Sequence, residues 1–194
     1  MYIIFEGIDT CGKSTQIELL KKSYKDAVFT YEPGGTALGK QIREILLTGQ
    51  PDSSRAEILL FLADRAEHFE SIVKPNLCNI VISDRGFVSG MAYAMAGNDD
   101  ISFDELLELN LFSLQGVLPD KIILFVIDKE SLMQRLGQKG MDKIELRGIE
   151  YLLNVQQFMT EIIEKLRIPF IKINATDDIE IINRQIINFI WEQK

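Results

Sequence analysis

Histidine, tryptophan and cysteine are nearly missing from this chain: His68 stands alone, there is 1 Trp, and the 2 Cys are Cys11 and Cys78. One histidine and two cysteines cannot assemble a four-ligand Cys/His zinc site. They also form no disulfide framework of the secreted kind, so a reducing compartment is expected. Long hydrophobic runs are absent too. The longest past the start, Ile122 to Ile127, falls far short of the roughly 18 residues that a membrane span needs. The opening Met-Tyr-Ile-Ile-Phe-Glu lacks the basic region, apolar stretch and cleavage site of a signal peptide. Positive charge is in deficit: 21 Lys+Arg against 29 Asp+Glu leave a formal net charge of -8. That is the wrong sign for coating a nucleic-acid backbone or an anionic membrane. The expectation is a soluble, cytoplasmic protein without nucleic-acid or membrane partners, meeting any anionic ligand through a local patch.

What is present is an ordinary globular composition, 46% hydrophobic and 26% charged, which excludes disordered and low-complexity classes. No Gly/Ser linker or internal repeat divides the chain, and 194 residues suit a single domain, 1–194. Apolar β-branched runs at Tyr2–Phe5, Ala27–Tyr31, Ile80–Ser83, Lys121–Ile127 and Pro169–Ile173 predict five strands. Between them, helical spacing is read from Ser14 to Tyr24, Ala37 to Leu47, Ser54 to about Val73, Phe87 to Ala96 and Phe103 to Gly116. Two more helices are read from about Asp142 to Leu166 and, at the C-terminus, along Ile179, Ile182, Ile186 and Ile190. Ser54 and Glu57 have capping-box spacing. Strands alternating with helices imply right-handed crossovers and an α/β fold, a five-stranded parallel sheet flanked by helices.

Between the first strand and first helix, Gly7-Ile8-Asp9-Thr10-Cys11-Gly12-Lys13-Ser14 matches G-x-x-x-x-G-K-[ST] at every fixed position. Glycines there let backbone N–H groups close around phosphate oxygens, and the helix N-terminus adds positive partial charge. Lys13 is expected at the β/γ-phosphates and Ser14 on Mg²⁺. A guanine-reading Asn-Lys-x-Asp is missing, which argues against a GTPase switch, and the length excludes a large motor ATPase. Phosphoryl transfer to a small acceptor remains. Asp84 ends an apolar strand at the carboxyl edge of the sheet, where ligands of doubly wound folds bind. It is placed to act on Mg²⁺ through water while Arg85 meets phosphate. Phe61 and Arg65, four apart on one helix, share a face that suits a ring stacked on a base and a guanidinium at its carbonyl edge, although the all-apolar run Ile58 to Ala63 by itself favours Phe61 as core. Arg43 is the candidate for the acceptor phosphate, its bland alternative being a solvent-exposed helix residue. His68 has no serine or carboxylate at motif spacing and reads as structural.

Phe5-Glu6-Gly7-Ile8-Asp9, Glu32-Pro33-Gly34-Gly35-Thr36, Leu60-Phe61-Leu62-Ala63-Asp64-Arg65-Ala66, and Asp84-Arg85 followed by Ser89, Ala92 and Tyr93 together resemble the bacterial thymidylate kinase family, over nearly the whole chain. The resemblance implies a fold of the P-loop nucleoside monophosphate kinase type and transfer of the γ-phosphoryl group of ATP to dTMP, with Mg²⁺. It assigns Gly7, Ile8, Asp9, Thr10, Cys11, Gly12, Lys13, Ser14, Thr15 and Arg135 to ATP. Asp9, Glu32, Arg43, Phe61, Arg65, Arg85, Ser89 and Tyr93 go to dTMP, and Ser14 and Asp84 to the metal. Tyr93 matches the tyrosine that packs beside the deoxyribose, and Arg135 the position that stacks on adenine.

The loop's variable positions carry no Arg or Lys, so charge on the transferring group must be met from elsewhere. Arg135, Lys139, Lys143 and Arg147 recur every four residues, interrupted by Gly137 and Gly140, and read as a lid over about 135–147. Lys139 and Lys143 join Lys13 and Arg85 as the catalytic set. Here the chain departs from the family: the lid is about one residue short, and lysines replace common arginines. Gly86 stands where a bulky residue is usual, and Ala94 where Gln is. The helix from Phe103 carries Leu106, Leu107, Leu109, Leu111, Phe112 and Leu114 around most of its circumference. It needs either burial within one subunit or a second copy, and the family forms homodimers. The leading expectation is an ATP-dependent dTMP kinase. The alternatives are a P-loop kinase for another nucleotide or nucleoside, and a non-catalytic nucleotide-binding regulator.

Overall fold

The computed structural model describes residues 1–49, 51–97, 100–137 and 148–191. Five strands, β1 (Tyr2–Glu6), β2 (Val28–Tyr31), β3 (Val81–Asp84), β4 (Lys121–Val126) and β5 (Phe170–Asn174), form one sheet in the order β2-β3-β1-β4-β5. Every pairing is parallel, with Ile4 beside both Ser83 and Ile122. Central β1 is buried along its whole length, which explains its unbroken apolar run and makes Glu6 an exception within it.

The helices are α1 (Lys13–Ser23), α2 (Ala37–Thr48), α3 (Ser54–His68), α4 (Phe87–Gly97), α5 (Phe103–Ser113), α6 (Lys129–Leu136), α7 (Ile149–Leu166) and α8 (Ile179–Trp191). Right-handed crossovers put the β1–β2 connection, α1, on one face with α8; α4 packs on α7 on the other, and α3 on α4 and α5. The core is the apolar filling between these layers and the sheet.

The helices differ from the sequence reading at several points. The cap of α3 is Ser53, whose hydroxyl accepts the Ala56 N–H at 3.3 Å, one residue before the predicted Ser54 box. The chain leaves α5 at Ser113, short of the predicted Gly116, because Gln115 and Gly116 take left-handed φ of 52° and 77°. Helix α7 is described from Ile149, with Gly148 at φ 97° before it; the predicted start, from Asp142 to Arg147, lies outside the described residues. Helix α6 was not foreseen: Asp128 caps it by accepting the Ser131 N–H at 2.9 Å. Of the predicted lid, Lys139, Lys143 and Arg147 lie outside the described residues. No helix among the described residues is long and apolar enough to cross a membrane.

Candidate active site

Ending at Glu6, β1 delivers the chain into a loop whose shape depends on glycine. At Gly7, with φ 143°, an added Cβ would lie 2.8 Å from the Phe125 carbonyl oxygen and 2.9 Å from Cys11 Sγ. Lys13, the first residue of α1, folds back over this loop and donates to the carbonyls of Gly7 at 2.8 Å and Ile8 at 3.0 Å. Its ammonium is thereby held over the loop. Arg135 reaches the loop from α6, donating to the Thr10 carbonyl at 2.9 Å and, through its other terminal nitrogen, to the Ala175 carbonyl at 2.6 Å. Lys13, Arg135, Thr10 and Ala175, with Asp9, Cys11, Gly12, Ser14 and Thr15, border an open cavity of about 1160 Å³, whose lining does not include Gly7 or Ile8.

A second cavity of about 440 Å³ opens between α2, α3 and α4. Phe61 and Arg65 line it from one face of α3, together with Ser89 and Tyr93 from α4. Arg65 is 3% exposed and fixed by three partners: Nε donates to Glu32 Oε2 at 2.9 Å, Nη1 to Asn110 Oδ1 at 2.7 Å, and Nη2 to the Gly86 carbonyl at 3.2 Å. The other Glu32 oxygen lies 2.8 Å from His68 Nδ1, and His68 Nε2 lies 2.6 Å from Thr30 Oγ1. A carboxylate can only accept, so Nδ1 carries a proton here. Burial pushes the Glu32 carboxyl up, but the Arg65 charge and the His68 hydrogen bond outweigh it and hold Glu32 below its usual range. His68, read from the sequence as structural, does have carboxylate and hydroxyl partners, supplied across the fold by Glu32 just past β2 and Thr30 on it.

Asp9, Glu32, Arg43 and Arg85 border both cavities. Arg85, with φ 69°, donates to the Gly7 carbonyl at 2.9 Å, Ser89 Oγ at 3.0 Å and Asp9 Oδ1 at 2.7 Å. Burial works against its charge, but the carboxylate of Asp9 leads the groups that raise its pKa, so it stays a permanent cation. Arg43 is exposed, donates to the Pro33 carbonyl at 2.8 Å and still faces the junction. Behind it, Ser89 donates to the buried Glu6, whose carboxyl burial pushes up, against the pull of Ser89, Arg85 and Lys13. Tyr93 stands against this group, its ring centre 5.9 Å from the Arg85 guanidinium carbon.

The oxygens of Ser14 and Asp84 suit a hard divalent cation. Ser14 Oγ lies 3.4 Å from Asp84 Oδ2, while Asp84 Oδ1 is buried with no hydrogen-bond partner among the described residues. No cluster of three or more His, Cys, Asp or Glu side chains able to hold a metal occurs among those residues, so phosphate and water would complete the shell. Most of the residues singled out from the sequence line two adjoining cavities, whereas Glu6 and Asn110 were not singled out. Glu6 had a signal, a charge inside a buried strand; Asn110, buried on α5, had none.

A family model described as thymidylate kinase matches residues 5–186. A thymidylate kinase of Sulfurovum sp. (strain NBC37-1) is 59% identical over 190 residues, covering 98% of this chain and 99% of the relative. That of Campylobacter concisus (strain 13826) is 53% identical over 192 residues, 98% of each. Among solved structures, thymidylate kinase from Ehrlichia chaffeensis is similar with a TM-score of 0.76 at 32% identity, over 99% of this chain and 98% of that one.

Proposed function

The chain belongs to the thymidylate kinase family, and from that membership we infer that its two cavities are the donor and acceptor halves of one phosphotransferase site. The enzyme transfers the γ-phosphoryl group of ATP to dTMP, giving dTDP and ADP. This step leads to the triphosphate used in DNA synthesis. The observation that carries the residue-level reading is the shared wall of Asp9, Glu32, Arg43 and Arg85. In-line transfer requires donor and acceptor phosphates to meet, and this wall is where the cavities join.

The loop from Gly7 to Thr15 cradles the ATP phosphates, with Arg135 beside it for the adenine. Lys13 leaves the loop carbonyls to reach the β/γ-phosphates. Arg43 and Arg85 take the acceptor phosphate; Phe61 and Arg65 take the base; Tyr93, Ser89 and Asp9 surround the sugar and phosphate. Ser14 and Asp84 hold Mg²⁺, which when bound neutralises charge on the donor phosphates. As the γ-phosphorus leaves its bridging oxygen, it bonds to a dTMP phosphate oxygen that already carries charge, so no general base is needed. Lys139 and Lys143, from a lid at about 135–147 within one functional unit of residues 1–194, supply the cations that the loop lacks. Two chains form a homodimer through α3 and α5, supported by the exposed apolar side chains Leu59, Leu109 and Phe112.

The test measures ADP formation from ATP with dTMP, dUMP, UMP, CMP, AMP or GMP, and with no acceptor. dTMP is expected to give the highest kcat/KM, and Lys13→Ala to lower turnover about 100-fold or more, the scale of losing a charged group that acts on the transition state. Another nucleotide outrunning dTMP would reassign the acceptor, acceptor-independent ADP release would point to a regulator, and near-normal Lys13→Ala turnover would remove the loop assignment.

A further inference from the structure

We propose that Asn110, on α5, is a specificity-determining residue that sets base selectivity by positioning the Arg65 guanidinium; this rests on the assignment of Arg65 to the base edge of dTMP. A guanidinium has five N–H donors and no acceptor. Three of Arg65's donors are committed, to Glu32, Asn110 and the Gly86 carbonyl, leaving one on each terminal nitrogen. Thymine presents a carbonyl at position 4 where cytosine presents an amino group. A guanidinium locked in place therefore favours thymine and opposes cytosine, whereas one free to swing reads neither well.

What locks it comes from the turn after β2, from α4 and from α5. Glu32 fixes the Nε side. The α4 backbone closes on the plane at Gly90, where an added Cβ would lie 3.1 Å from Nη2 and 3.3 Å from Nη1. Nη1 is held by the Asn110 side-chain oxygen, and that amide cannot turn over without loss, because its Nδ2 donates to the Leu106 carbonyl at 2.7 Å. Asn110 is 2% exposed, so no solvent stands ready to replace it. A neutral amide also adds no second carboxylate to a cluster in which Glu32 already balances Arg65.

Steady-state kinetics with dTMP and dCMP test this on Asn110→Leu, which keeps volume and deletes the acceptor, Asn110→Asp, which keeps an oxygen, and Arg65→Lys. Asn110→Leu is expected to raise the dTMP KM about tenfold, the size of one charge-assisted hydrogen bond, and to cut the dTMP:dCMP ratio of kcat/KM similarly, with kcat and the ATP KM within about twofold. Asn110→Asp is read by itself if the leucine variant does not fold, and it should keep the ratio within about threefold of the parent even if its thermal midpoint falls. An unchanged dTMP KM and ratio in Asn110→Leu overturns the proposal, as does loss of selectivity in Asn110→Asp or an equal fall in kcat for both acceptors. If Arg65→Lys also leaves the dTMP KM unchanged, the assignment of Arg65 to the base fails with it. If Arg65→Lys matters and Asn110→Leu does not, the role of Asn110 alone is lost.

Discussion

At Glu32 a carboxylate with 4% exposure stays ionised because Arg65 and His68 each occupy one of its oxygens. Its folded pKa lies below the ordinary value of about 4.3. The stability it contributes is therefore in place above that pH and is lost as the pH falls through the folded value. Glu32→Gln leaves the Arg65 charge buried without a counter-charge and is expected to cost about 3–5 kcal/mol at neutral pH, the usual penalty for breaking one side of a buried pair. Urea unfolding of the two proteins between pH 7 and pH 3 checks this: the gap should be full at neutral pH and shrink below about pH 4. A gap that is absent, or constant down to pH 3, counts against it. Comparing variant with parent is necessary because Glu6 carries the opposite sign. Its raised pKa means that stability is withheld as the pH rises, so the parent's acid limb mixes both effects.

Between α2 and α3 the contact is so close that one position tolerates only glycine. A Cβ on Gly39 would lie 2.4 Å from Asp64 Oδ1, the same oxygen that accepts the Gly34 N–H at 2.9 Å. Alanine is the better helix former by about 1 kcal/mol. Even so, Gly39→Ala is expected to destabilise by about 1–3 kcal/mol, because α2 must move off α3 or the Asp64–Gly34 bond must break. A calorimetric midpoint at or above that of the parent would show that α2 yields freely. This contact marks what the sequence could convey. The five strands were legible because β-branched runs between Pro and Gly admit no other reading, and the phosphate loop because its spacing is fixed by phosphate geometry. Helix α6 was not, since Lys129-Glu130-Ser131 looks like a polar loop until Asp128 is seen capping it. Ser53 and Ser54 are equivalent caps by type, and only the backbone distinguishes them. In the smaller cavity, the shared helix face joins Phe61 to Arg65, but the apolar run around Phe61 reads as core without the family motif. The partners that fix Arg65 are Glu32 just past β2, Gly86 just before α4 and Asn110 on α5, joined only by the tertiary fold, so local spacing could not reveal them.

Across the whole molecule, the formal charge of -8 conceals a gathering of cations: Lys13, Arg43, Arg65, Arg85 and Arg135 border the two cavities, where Asp9, Glu32, Glu57, Asp84 and Asp177 balance them. The cavity walls are thus neutral in formal charge and the negative excess lies elsewhere, so two copies of the chain repel each other at long range. Any association must then come from apolar contact. Phe112 is 85% exposed on α5, and Leu59 is 59% exposed on α3, the helix against which α5 packs. The homodimer proposed through these helices should consequently strengthen as salt rises, since going from about 0.01 M to about 1 M shortens the Debye length from about 30 Å to about 3 Å. Phe112→Glu removes apolar area and adds one more negative charge to each copy. Sedimentation velocity at micromolar concentration is expected to give a dimer for the parent, more complete at high salt, and a monomer for Phe112→Glu at low salt. A parent chain that stays monomeric across the whole salt range removes the dimer, and an undiminished dimer in Phe112→Glu moves the contact to another face.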